Sequence, residues 1–100
     1  MIIIYITLNN TSEAREIGKD LLEKNLANCV NFFPITCVYK YKSTVTEESE
    51  TVLLVKTKDG YYDKVKDVIK KHINYDNFIG QLKVEKVNDD FSSWLNDIVI

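Results

Sequence analysis

The side chains in this sequence that can do chemistry fall into a few groups. Cys29 and Cys37 are the thiols, His72 is the only imidazole, and Glu47, Glu48 and Glu50 form a short acidic run. Tyr39-Lys40-Tyr41 sets an ammonium between two phenols. Thiolate is a good soft ligand for Cu(I) or Zn(II), neutral imidazole is the commonest borderline ligand, and carboxylates attract hard cations. Each group also has a plainer use. A free Cys packs as a small hydrophobe, and a His at a helix C-terminus caps the last carbonyls. An acidic run makes a solvated turn, and alternating tyrosines suit a half-buried interface strand. The two thiols lie eight residues apart. That even spacing puts them on one face of a regular strand but about 25 Å apart, at about 3.3 Å per residue. One copy of the chain cannot chelate an ion with both unless the strand folds back, whereas two copies can. His72 has no second ligand at helical spacing within its own helix.

The elements that must position these residues follow from periodicity. Ile2 to Leu8 is a β-branched and aromatic run ending in the polar Asn9-Asn10-Thr11-Ser12, which reads as a buried strand turning into a helix. Ala14, Ile17, Leu21, Leu22 and Leu26 repeat at helical spacing, with Asn10, Thr11 or Ser12 as the cap. Cys29 to Val45 predicts a long strand bent at Pro34, and Glu47-Glu48-Ser49-Glu50 predicts a polar turn. Thr51 to Thr57 is apolar on both faces, as a central strand should be. A second amphipathic helix carries Tyr62, Val65, Val68, Ile69 and His72. Ile79 to Val87 predicts a fourth strand, and Phe91, Trp94, Leu95 and Ile98 a short C-terminal helix. The order βαββαβ, then α, is an α+β ferredoxin-like sandwich with a four-stranded antiparallel sheet, in one domain spanning residues 1–100. Phe32, Phe33, Tyr39 and Tyr41 exceed what two helices on one face can bury, so the open face or the long strand is expected to meet another copy.

Composition narrows the function. A net charge of −2 and a pI near 5.3 give no field for nucleic-acid phosphates. No apolar run is long enough to cross a bilayer, and Met1 to Ile4 lacks the marks of a secretory signal, so a cytoplasmic protein with reduced thiols is expected. GxSxG, a P-loop and HExxH are absent. The only Arg, Arg15, sits inside the first helix rather than in a phosphate-cradling loop, there is no CxxC, and Thr44 to Glu50 is acidic where a nucleotide site would want glycine or basic residues. A binding protein, not an enzyme, is the reading.

Leu26-Ala27-Asn28-Cys29-Val30-Asn31, then Pro34, Tyr39-Lys40-Tyr41, Glu47-Glu48, Val52 to Thr57, His72 and Trp94-Leu95 together resemble the CutA-type divalent-cation tolerance proteins almost end to end. The resemblance implies a ferredoxin-like protomer, an interlocked homotrimer and an association with copper and other divalent ions. On that reading Cys29 and His72 are the first ligand candidates, Cys37 and the acidic run the next. Tyr39, Lys40, Tyr41, Glu47, Glu48 and Trp94 would line clefts and interfaces between subunits. The alternative is a trimeric signalling or scaffold module holding a small ligand or a protein in such a cleft. The sequence departs from the family pattern at Ile35, where a Gly usually follows the Pro, and at Tyr41, usually Trp. Residues 73–78 lack the family's two prolines, and Ile6 and Lys71 stand where some members carry Cys and His.

Overall fold

The computed structural model describes residues 1–99. The elements are β1 (Ile2–Leu8), α1 (Thr11–Glu23), β2 (Cys29–Tyr41), β3 (Thr44–Thr57), α2 (Tyr62–His72), β4 (Ile79–Lys83) and α3 (Asp89–Ile98). The sheet is antiparallel in the order β2-β3-β1-β4. This is the ferredoxin-like sandwich expected from the sequence.

Pleating makes successive side chains face opposite sides, and β1 shows that period as strictly alternating burial. Ile2, Ile4, Ile6 and Leu8 pair with Thr57, Val55, Leu53 and Thr51, all on the face that α1 and α2 cover. Ala14, Ile17 and Leu21 of α1 and Val65, Val68 and Ile69 of α2 complete this core. Asn10 caps α1, its side-chain oxygen accepting from the Glu13 N–H at 2.9 Å. At the other end Asn25 takes a left-handed φ of 57°, with the Leu26 N–H bonded to the Leu21 carbonyl and the Asn25 N–H to that of Leu22. This is a Schellman closure, and it turns the chain sharply into β2. Gly18 is buried where α1 crosses β2; a Cβ there would lie 2.8 Å from Cγ2 of Val30.

Two expectations about the strands are corrected. The β2–β3 turn is at Lys42-Ser43, both at positive φ (48° and 67°), so β2 ends at Tyr41 rather than Val45, and Glu47-Glu48-Ser49-Glu50 is not a turn but part of β3. The register is unbroken from Cys29↔Lys56 to Tyr41↔Thr44, passing straight through Pro34↔Thr51. Pro34 fits because β2 is an edge strand, whose outward-facing positions need no ladder N–H. The second correction is β4, which stops at Lys83 instead of Val87; the Val84 N–H still reaches the Met1 carbonyl, after which the chain leaves β1 and turns towards α3.

The second sheet face is partly covered by α3. Phe91 shares a small cavity with Ile3 and Lys56 of that face, and the Lys56 ammonium is 5.5 Å from the Phe91 ring centroid. Leu95 and Val99 are buried outside the main core. Phe32, by contrast, falls on the helix side, packed against the core with the Arg15 guanidinium 5.5 Å from its ring. The two large helices are joined at their ends by His72 of α2, whose Nε2 lies 2.8 Å from Oδ2 of Asp20 on α1; Lys24 holds the other Asp20 oxygen.

Two outcomes test this packing. Gly18→Ala gains helix propensity of up to about 1 kcal/mol but forces Val30 aside, and overpacking costs about 1–3 kcal/mol. A net destabilisation of about 1 kcal/mol is expected from denaturant unfolding, and a stabilised variant would show that α1 is not seated on β2 as described. For Asp20, hydrogen bonds from Lys24 and then from His72 hold the carboxyl below its ordinary pKa of 3.8. Its ionised form therefore stabilises the fold above that value, and the contribution disappears as pH falls through the lowered pKa. Thermal unfolding of Asp20→Asn should show a lower midpoint than the parent at pH 7 and one that converges with it towards pH 2; a constant offset at every pH would contradict the pairing.

Candidate functional site

Beyond the level of Leu8, which pairs with Thr51, β3 has no neighbour on its inner edge among the described residues. Ile35 to Tyr41 and Thr44 to Glu50 therefore stand out from the sheet as a two-stranded ribbon, consistent with a molecule measuring 47 × 27 × 21 Å. Parity assigns its faces. Cys37 and Tyr39 of β2 share a side with their partners Glu48 and Thr46, and Glu50, two residues from Glu48, joins them. Glu47 and Lys40, opposite Val38 and Val45, point the other way.

At the root of this ribbon is a cleft of about 490 Å³. One wall is Cys37, Tyr39, Glu48 and Glu50 from the ribbon. Its floor is the end of β1, Thr7 to Asn9, and the opposite wall is Tyr75 to Phe78, the segment joining α2 to β4. That segment has no regular structure, yet it is tied down. The Asn77 amide donates to the Thr7 carbonyl at 2.8 Å, the Thr7 N–H donates to the Phe78 carbonyl at 3.1 Å, and the Phe78 N–H donates to Thr7 Oγ1 at 3.2 Å. The Tyr75 hydroxyl donates to Oε1 of Glu13, and the Asn9 N–H reaches both groups at 3.2 Å. Phe78 lies over Gly80, where a Cβ would come within 2.4 Å of its ring, and meets Tyr5 edge-on at 5.9 Å. Gly80 is needed here for close approach, and the Phe78 ring fills the space its missing side chain leaves.

The electrostatics of the cleft have one sign. Glu48, Glu50 and Asp76 line it, and among the described residues no Lys, Arg or His does. Loss of hydration pushes the Cys37 thiol up, with the Glu50 and Glu48 carboxylates adding to it. Hydrogen bonding to Glu48, then burial, pushes up the Tyr39 phenol. Burial first, and then Glu13, raises Tyr75. The three groups hold their protons at neutral pH, so a cation that takes Cys37 as a ligand must displace one.

The structure brings together Cys37, Tyr39 and Glu48 from the residues singled out in the sequence and leaves the others apart. Cys29 is half-buried at the far end of β2, level with Lys56. His72 is engaged with Asp20. Tyr41 is at the ribbon tip, with the Lys42 ammonium 5.3 Å from its ring, and Trp94 lies on α3, edge-on to Phe91 at 5.5 Å. Among the described residues no group of three or more His, Cys, Asp or Glu is placed to hold a metal ion. Glu13, Tyr75, Asp76 and Phe78 went unremarked as site residues. Glu13 carried a signal, the Asn10-x-x-Glu13 spacing of a capping box, although its carboxylate reaches back to Asn9 rather than to the cap residue. Residues 75–78 lie in a segment without periodicity, marked in the sequence only as part of the 73–78 stretch that departs from the family pattern.

The chain is matched from residue 2 to residue 98 by the CutA1 divalent ion tolerance protein family. It is 34% identical over 97 residues to the divalent-cation tolerance protein CutA of Archaeoglobus fulgidus, covering 96% of this chain and 95% of that one. It is 34% identical over 101 residues to the Thermotoga maritima protein of the same name, covering both chains completely. Among solved structures, the A. fulgidus protein, described as a periplasmic divalent cation tolerance protein, superposes with a TM-score of 0.94 at 33% identity over all of both chains. The Thermus thermophilus protein does so at 0.90 and 33%, over 99% of each. With fold, length and sequence agreeing from end to end, this chain belongs to the CutA1 divalent ion tolerance protein family.

Proposed function

We propose that this protein is a non-catalytic, cytoplasmic homotrimer that binds divalent metal ions, copper first, at sites between its subunits. The observation that carries the reading is the placement of Cys37 beside Glu48 and Glu50: a soft donor and two hard ones face the same way on a ribbon that its own protomer leaves uncovered. They fall short of a ligand set, so a second copy has to complete it. The ribbon also favours a second copy on energetic grounds. A two-stranded hairpin is marginal alone in water, and Val38, Tyr41 and Val45 are 61%, 60% and 70% exposed on this one. The outer edge of β2 presents backbone donors and acceptors with no strand beside them among the described residues, which is a template for pairing. Three copies, rather than two, is what the family resemblance implies. His72 is a weaker ligand candidate than Cys37, because binding a metal would break its bond to Asp20.

The test is calorimetric titration of the reduced, metal-free protein with Cu and Zn against a competing chelator, with subunit number fixed by light scattering. Saturable binding of about one ion per subunit or per trimer is expected, with affinity rising with pH as the Cys37 proton is displaced. Cys37→Ser should weaken it about tenfold or more and leave the oligomer intact. Cys29→Ser, measured beside it, should do less; the reverse order would move the site to the base of β2. Binding no tighter than about 10⁻⁴ M, roughly 5.5 kcal/mol, would reject the metal role.

A further inference from the structure

We infer that the pocket under α3 binds a short aliphatic carboxylate, its charge against the Lys56 ammonium and its alkyl chain against Ile3, Val84 and Val87. This pocket is at the other end of the sheet from Cys37 and the ribbon acids. Lys56 and Glu48 are about 26 Å apart along β3, at about 3.3 Å per residue, so neither reading depends on the other.

The charge is the first argument. Lys56 is half-buried, and an ammonium drawn out of water needs a counter-ion. None is supplied among the described residues, where Lys56 enters no salt bridge. Its neighbours across the ladder are Cys29 on one side and Ile3 on the other, neither of them a carboxylate. Asp59, in the loop after β3, is already held by Lys83 and the Met1 amine. What Lys56 does meet is the Phe91 ring, its Nζ 5.5 Å from the centroid. A ring face engages one side of an ammonium that has three donors, so this contact orients the group and leaves donors free for an anion.

The walls give the rest of the class. The pocket measures about 220 Å³, and since about 150 Å³ suffices for benzene, a ligand of a few carbons fits and a peptide does not. Among the described residues Lys56 carries the one charged side chain on these walls, and no acid is present to repel an anion. Ile3, Val84, Val87 and Phe91 are apolar. Asn88 is exposed and its side chain makes no capping bond to α3, so it adds a free amide and a way in from solvent. An apolar lining with one cation and one amide selects a carboxylate by its head and an alkyl chain by its tail. The walls are also fixed beforehand. Ile3 is in the β1 ladder, the Val84 N–H is bonded to the Met1 carbonyl, and buried Leu95 and Val99 anchor α3, so little ordering has to accompany binding.

The test uses the full-length protein, its subunit number fixed by light scattering, at pH 7.5. It is titrated with pentanoate and, separately, with the neutral isostere pentanamide, and followed by the methyl NMR signals of Ile3, Val84 and Val87. Saturable binding of pentanoate with a Kd of about 1 mM is expected, at least about tenfold weaker for pentanamide, with the shifts centred on those methyls. Lys56→Met, which keeps the length of the side chain and loses its charge, should weaken pentanoate about tenfold and bring the two probes level. Lys64→Met, on α2, should change neither. Equal binding of the two probes by the parent, an equal loss in Lys64→Met, or shifts centred elsewhere would each overturn the proposal. So would a lack of saturation by about 100 mM, the result expected if another copy fills the pocket in the assembled protein. If Lys56→Met does not fold, the comparison of probes on the parent decides alone.

Discussion

The unbroken antiparallel register of β3 with its neighbours on either side is the constraint on which the rest of the molecule depends. A shift of one residue would turn every side chain of a strand to the other face. Ile2, Ile4 and Ile6 lie opposite Thr57, Val55 and Leu53, and this alone determines which face α1 and α2 must cover. The same register, carried across β3 to β2, puts Cys37 level with Glu48 more than 15 Å further along the strand, at about 3.3 Å per residue. Core and cleft are therefore specified by one pairing. Changes in the β2–β3 turn would be felt at both.

The two faces of the sheet are stabilised differently. On the helix side burial is nearly complete, and two of the polar groups that enter are bonded to backbone carbonyls, whereas the buried Asn28 amide has no partner among the described residues. Thr57 donates to the Leu26 carbonyl at 2.6 Å, and Tyr62 to that of Ile79 at 2.6 Å, each tying a helix or its exit to a strand. On the other side α3 covers only the end of the sheet near Ile3 and Lys56. Phe33, Phe78 and Leu82 remain substantially exposed. Such a face is unusual for a small monomer and suits a protein that finishes its core with another copy.

Most of the fold could be read from the chain, because its elements announce themselves by period. The β-branched run of β1, the helical repeats of α1, α2 and α3 and the two-faced apolarity of Thr51 to Thr57 are strong signals. The ribbon was not legible, for a specific reason. A two-residue hairpin turn with positive φ ordinarily uses Asn or Gly, and here Lys42 and Ser43 occupy it. A few residues on, Glu47 to Glu50 has the polarity of a loop and no strand formers, so the turn is expected at the glutamates. With the turn misplaced, the meeting of Cys37 with Glu48 cannot be derived, although the common face of Cys29, Cys37 and Tyr39 can. The far wall escaped for another reason: residues 75–78 are positioned by hydrogen bonds to β1, and bonds between segments some seventy residues apart leave no local pattern.

The glutamates themselves suggest why the ribbon has this composition. Glu is a poor strand residue, and Glu48 and Glu50 stand on one face about 7 Å apart, close enough for like charges to repel. Neither lies opposite a cation in the register: Glu48 faces Cys37 and Glu50 faces Ile35. Asp20 and Asp59, by contrast, are met by cations, Asp20 by Lys24 and His72 and Asp59 by Lys83. The Tyr39 phenol is hydrogen-bonded to Glu48, yet two like charges on one strand face, with no cation among the described residues lining the cleft, are the kind of local inconsistency that concentrates at functional sites. Positive charge brought to the cleft from outside the chain would relieve this repulsion, and the ribbon would then be held most firmly when that charge is bound.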